Sequence, residues 1–164
     1  MDRQQIGVKL TIDALGLPFS VDQFKDRLIL QKVVYLVQAA GAQLGYQFHW
    51  YLRGPYSPLL ARDGFGIAAE IANGEDESKQ WHLSPQSAKR IANVKRLIGK
   101  PEQEELPKRL ELLASVHFLV DEGRVPPDPH AIDKRLRLFG KDYTPEQVKA
   151  ALRELSRHGL IASS

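Results

Sequence analysis

Along most of this chain apolar residues recur at three- and four-residue steps, a pattern that predicts a mainly helical protein. Residues 6–15 read as a short helix stopped by Gly16 and Pro18. Ser20 or Asp22 opens a longer helix reaching about Leu44. The centre of that helix, residues 28–37, is apolar on nearly every face, which marks a buried element.

The period then changes. Tyr46, Phe48, Trp50 and Leu52 alternate with Gln47, His49 and Tyr51, predicting a half-buried strand. Residues 53–58 carry one glycine and two prolines, which are expected to break it. A helix over 59–72 follows, then an acidic loop at 75–78 and a second alternating run at 80–83. The two runs could pair as a small antiparallel ribbon around the intervening helix.

Ser84 and Pro85 supply an N-cap and a first-turn proline for a helix that points Ala88, Ile91, Val94 and Ile98 inward. After a polar hinge at 101–105, residues 106–120 form another strongly apolar helix. A proline-rich loop at 123–129 precedes a short helix at 131–138. Thr144 and Gln147 then have capping-box spacing and open a last helix that buries Val148, Ala151, Leu152 and Leu155. Short helix, turn, capped helix and the exit through Leu160 and Ile161 resemble a helix-turn-helix leading into a wing. The predicted fold is therefore mainly α with a small antiparallel β ribbon and a winged-helix-like C-terminal portion. We expect a single helical domain over 1–164, with a possible subdivision into 1–100 and 106–164.

Composition narrows the function classes. The 164 residues are 43% hydrophobic and 26% charged, ordinary for a folded domain with a real core. With no cysteine there can be no disulfide framework, thiolate metal site or cysteine nucleophile, which fits a reducing compartment. No run approaches the roughly 18 apolar residues of a membrane span, and residues 1–5 do not resemble a secretion signal. The expectation is a cytoplasmic protein with no membrane partner. A net charge of +3 and a pI near 9.2 tilt only weakly toward acidic partners.

The sequence carries no recognisable catalytic constellation. The five histidines are scattered singly, and His117 with Asp121 offers two ligands on one helix face without a third. Gly64-Phe65-Gly66 lacks the spacing and the lysine of a phosphate loop. Ser57 and Ser115 lie in no nucleophile-elbow context. No enzyme activity, cofactor or metal is expected.

Three features remain. Gln31 and Lys32 interrupt an apolar helix; they read as a narrow solvent-facing stripe, or Lys32 snorkels or pairs. The segment 49–57 sets aromatic rings and Arg53 beside a stiff Gly-Pro turn, either to stack on bases or grip a phosphate, or as core aromatics with Arg53 satisfying backbone carbonyls. The C-terminal helices carry Lys134, Arg135, Arg137, Lys141, Lys149, Arg153 and Arg157. The excess there is mild, eight Lys/Arg against five Asp/Glu from Arg124 onward. Solvated helix faces account for it about as well as contacts with DNA.

The run Leu30-Gln31-Lys32-Val33-Val34-Tyr35-Leu36-Val37-Gln38, then Tyr46-Gln47-Phe48, then Arg53-Gly54-Pro55-Tyr56-Ser57, resembles the YwgA-like proteins and the SocA-like Panacea antitoxin domains. The same order of motifs is similar to the C-terminal domain of the DarG antitoxin. The resemblance covers roughly residues 22–65 well and the remainder in type only. It implies a helical domain with a small sheet that binds a protein partner, often a toxin, or nucleic acid, without catalysis. On that basis the partner-binding candidates are Lys32, His49, Tyr51, Arg53, Tyr56, Ser57 and Arg62. The alternative, a winged-helix DNA-binding regulator, would use Lys134, Arg135, Arg137, Lys149, Arg153 and Arg157.

Overall fold

The computed structural model describes residues 1–162 and is mainly helical. Seven α-helices, α1 (Arg3–Ala14), α2 (Phe24–Ala39), α3 (Pro58–Ala72), α4 (Pro85–Ile98), α5 (Leu106–Asp121), α6 (Pro129–Leu138) and α7 (Pro145–Arg157), are present among the described residues. One two-stranded antiparallel sheet joins them, built from β1 (His49–Tyr51) and β2 (Gly54–Tyr56).

The termini of these helices follow local chemistry. Ser57, Ser84, Asp128 and Thr144 each accept a backbone N–H of the first turn with their side chain, and a proline follows each one. The Thr144–Gln147 capping box forms as the spacing predicts. α2 starts later than expected, at Phe24, because the Asp26 carboxylate turns back to accept the Gln23 N–H (3.1 Å) and the Ser20 hydroxyl (2.9 Å). It also ends earlier, at Ala39, where Gly41 adopts a φ of 105°. On α4 the inward face is Ile91, Val94, Leu97 and Ile98, while Ala88 is exposed.

The small antiparallel ribbon is present, and its first strand lies within the predicted 46–52 run, but its second strand is corrected. Residues 80–83 form no strand: Glu77–Gln80 is a 3-10 turn capped by the Asp76 side chain, and Trp81 beyond it is exposed. The partner of β1 is instead the Gly-Pro segment expected to break it. His49 lies opposite Tyr56, Trp50 opposite Pro55 and Tyr51 opposite Gly54, around a turn formed by Leu52 and Arg53. Closing so short a loop costs far less chain entropy than reaching across a helix. Pro55 is tolerated because its missing N–H removes a donor that would otherwise need a partner.

α5 is the hub. It packs against α2 on one side and α7 on the other, and α6 packs on α7. The buried apolar residues form one cluster running from Val8 to Leu160, with Val33, Leu36, Leu113, Val116 and Leu119 wholly enclosed.

Candidate functional site

Four polar residues of α2, Gln31, Lys32, Tyr35 and Gln38, point inward, and each has a specific partner. Gln31 donates through Nε2 to the Ser57 carbonyl (2.9 Å) and accepts the Ser57 N–H at Oε1 (2.9 Å). Two helical turns later Gln38 does the same to Tyr46, both bonds at 2.9 Å. A primary amide can imitate a peptide group, so these two side chains stand in for a neighbouring strand at either end of residues 46–57. Between them Lys32 donates to the Pro55 carbonyl at 2.7 Å. Residues 55 and 57 lie two apart and present backbone groups to the same edge, so α2 side chains close the outer edge of β2.

Lys32 and Ser57 are therefore each only 1% exposed, and neither can touch a partner. This corrects both the solvent-facing stripe and their place among partner-binding candidates. The reason is energetic: a hairpin laid against a helix has unpaired backbone groups that must be satisfied from inside.

Burial pushes the Lys32 ammonium down to about 7 from its ordinary 10.5; Glu111 pulls upward and Lys141 lowers it further. Glu111 and Lys141 form a buried ion pair, and Lys141 also reaches the Leu52 carbonyl at 3.4 Å. Lys141 is thus no DNA-facing residue but a brace beneath the hairpin turn. Gly54, with a φ of 95°, sits where a Cβ would lie 2.5 Å from Ser115 Oγ and 3.7 Å from Lys32 Nζ. Ser115 Oγ is buried without a hydrogen-bond partner among the described residues.

On the same helix Tyr35 donates its hydroxyl to His117 Nδ1 at 2.7 Å. His117 Nε2 must then carry the proton, which it donates to the Leu160 carbonyl at 3.1 Å. Burial lowers the His117 pKa and raises that of Tyr35, so both are neutral near pH 7. His117 is a satisfied core histidine that ties the chain after α7 to α2. Among the described residues, no group of three metal-ligating side chains exists.

The hairpin has two unlike faces. Trp50 points inward and packs on Phe118 (5.6 Å between centroids) and Phe139 (4.8 Å). His49 and Tyr51 are exposed on the other face, and the Tyr51 and Tyr56 rings meet at 5.5 Å. Arg53, at the turn, lies over the Phe24 ring at 5.6 Å. Phe24, Tyr51, Leu52 and Phe65 are each more than half exposed.

Phe24, Tyr51 and Phe65 converge on a cleft of about 250 Å³ floored by Val21, Leu28 and Leu30. A wider groove of about 790 Å³ adjoins it, sharing Phe24, Leu28 and Arg53 and reaching Leu52 and Phe139.

Four of the seven candidates, His49, Tyr51, Arg53 and Tyr56, therefore meet on one face. Arg62 is exposed on α3 but lines neither cleft. Phe24, Phe65 and Phe139 were not among the candidates. An aromatic in the first turn of α2 or on α3 looks like core material in a sequence, and nothing local reveals its exposure.

The basic set is divided. Lys149, Arg153 and Arg157 are exposed at four-residue steps on one face of α7. Lys134 is exposed and Arg135 half-buried on α6, whereas Arg137 is held by Asp133 (3.0 Å) and Asp142 (3.7 Å). Among the described residues, no helix is long and apolar enough to cross a membrane. In comparison with known proteins, no family model matches the chain, and no curated protein or solved structure is significantly similar to it.

Proposed function

We propose that this chain is a non-catalytic interaction module that binds a protein partner through the outer face of its hairpin. One observation carries this reading: Phe24, Tyr51, Leu52 and Phe65 stay exposed together around adjoining clefts, where a monomer would ordinarily bury or scatter them. The resemblance to YwgA-like and Panacea antitoxin domains supports it and makes a toxin the class of partner to try first. In that setting the chain neutralises or recruits its partner in the cytoplasm.

The test is co-expression with the products of adjacent genes, followed by co-purification. Leu52→Asp combined with Phe65→Asp is expected to abolish the complex. Trp81→Asp, which alters an exposed aromatic elsewhere, is expected to leave it intact. A complex indifferent to the double substitution would overturn the reading.

A second reading, a winged-helix type of DNA-binding regulator, is favoured by the Lys149, Arg153 and Arg157 stripe alone. Under it, duplex binding weakens steeply with salt and with Arg153→Ala plus Arg157→Ala, while Leu52→Asp leaves it unchanged.

A further inference from the structure

We infer that the cleft between α2, α3 and the hairpin takes a short acidic segment of the partner, which seats one large apolar side chain in it and sets flanking carboxylates on Arg53 and Arg27. The inference rests on the interaction-module reading and supplies the chemistry of the occupant.

Size is the first argument. At about 250 Å³ the cleft falls below the roughly 300–1,000 Å³ of sites that enclose a whole small molecule. It suits one anchoring side chain, the usual centre of a protein–protein contact. Val21, Phe24, Leu28, Leu30 and Phe65 give that anchor an apolar seat.

Charge is the second argument. Arg27 and Arg53 line the cleft, with Lys32 sealed beneath it, and no carboxylate lines it. The adjoining groove adds Lys25 and Lys108, together with Glu104, Asp142 and the mutually paired Glu111 and Lys141, so the positive excess belongs to the cleft itself. Among the described residues, none of Lys25, Arg53 and Lys108 has a carboxylate within ion-pair distance, so their charge is open to an incoming one. Arg27 uses one guanidinium nitrogen on the Val21 and Asp22 carbonyls (2.8 and 3.2 Å), which fixes its position and leaves other N–H groups to donate. Cations held around an apolar seat repel a basic segment, gain little from a neutral one and reward an acidic one.

The experiment is peptide display on the immobilised full chain, followed by fluorescence titration of the enriched peptides. The expected sequences carry one Leu, Phe or Trp flanked by Asp or Glu. Arg53→Glu should weaken them by about tenfold or more, because it turns an attraction into a repulsion. Ala61→Trp, which fills the cleft from α3, should abolish binding with the circular dichroism unchanged, and Arg157→Ala should have no effect. Should Ala61→Trp fail to fold, Arg53→Glu still decides.

Enrichment of neutral or basic peptides, indifference to Arg53→Glu, no enrichment at all, or sedimentation showing a second copy seated on this face would each overturn the inference. If it falls while the Leu52 and Phe65 substitutions still break the co-purified complex, the interaction module survives and only its acidic occupant is lost. If acidic peptides bind at the cleft but that complex is indifferent, the reverse holds.

Discussion

The segment 46–57 and the α6–α7 pair are secured to the same core by opposite means. α6 and α7 bury Ile132, Leu136, Val148, Ala151, Leu152 and Leu155, which attract without direction. The hairpin segment is held by directed bonds from Gln31, Lys32 and Gln38 to named backbone atoms. Apolar contact tolerates small shifts, whereas an amide pair at 2.9 Å does not. The difference places precision at the hairpin and tolerance where helices need only be covered.

The sharpest way to break the contrast is Gly54→Val. A β-branched residue at a φ of 95° is strained, and its Cβ would crowd Ser115 Oγ at 2.5 Å. We expect a loss of about 4 kcal/mol in urea unfolding, or failure to fold; a loss under about 1 kcal/mol would show that the hairpin slides freely.

Next is Gln31→Leu, which keeps the volume and leaves the N–H of buried Ser57 unpaired, while its C=O keeps only the Ala61 N–H at 3.1 Å. The expected cost is about 3 kcal/mol, with faster hydrogen exchange confined to residues near 57. Uniformly faster exchange would mean that Gln31 supports the whole core rather than the hairpin.

A third probe is pH. Lys32 titrates near 7 when folded and near 10.5 when unfolded, so between those values the unfolded chain binds more protons. Stability should therefore rise from pH 7 to 9, by at most about 1.4 kcal/mol per unit. The rise should vanish in Lys32→Met relative to the native chain. His117 acts on the acid side of its ordinary 6.5 and does not contribute in this window. A slope that persists in Lys32→Met would assign it elsewhere.

The mildest effect is expected on the apolar side. Leu155→Met in α7 should cost about 1 kcal/mol, with the dependence on urea unchanged. A cost equal to that of Gln31→Leu would erase the distinction between the two regions.

What the sequence makes legible follows the same division. Periodicity and caps find the helices, because an apolar stripe and a Ser-Pro or Thr…Gln start are local signals. The hairpin is only half visible. Gly54 and Pro55 read as ladder breakers, and here their outer neighbours are side chains, a pairing no strand rule anticipates. Lys32 misleads for a related reason: its partner is a carbonyl 23 positions away. Resemblance directs attention to the segment 53–57, while only the packed structure separates Arg53 and Tyr56 outside from Lys32 and Ser57 inside.

Closing one edge of the sheet with glutamine and lysine side chains also makes that sheet directional. β2 offers no row of free amides for another chain to copy, and β1 exposes an edge only three residues long. Ribbon-like stacking of molecules through their hairpins is thereby kept short, although the surface around the turn remains greasy enough to be recognised. Adhesion and polymerisation are uncoupled, and a cell could make this protein abundantly without its sticky face seeding fibres.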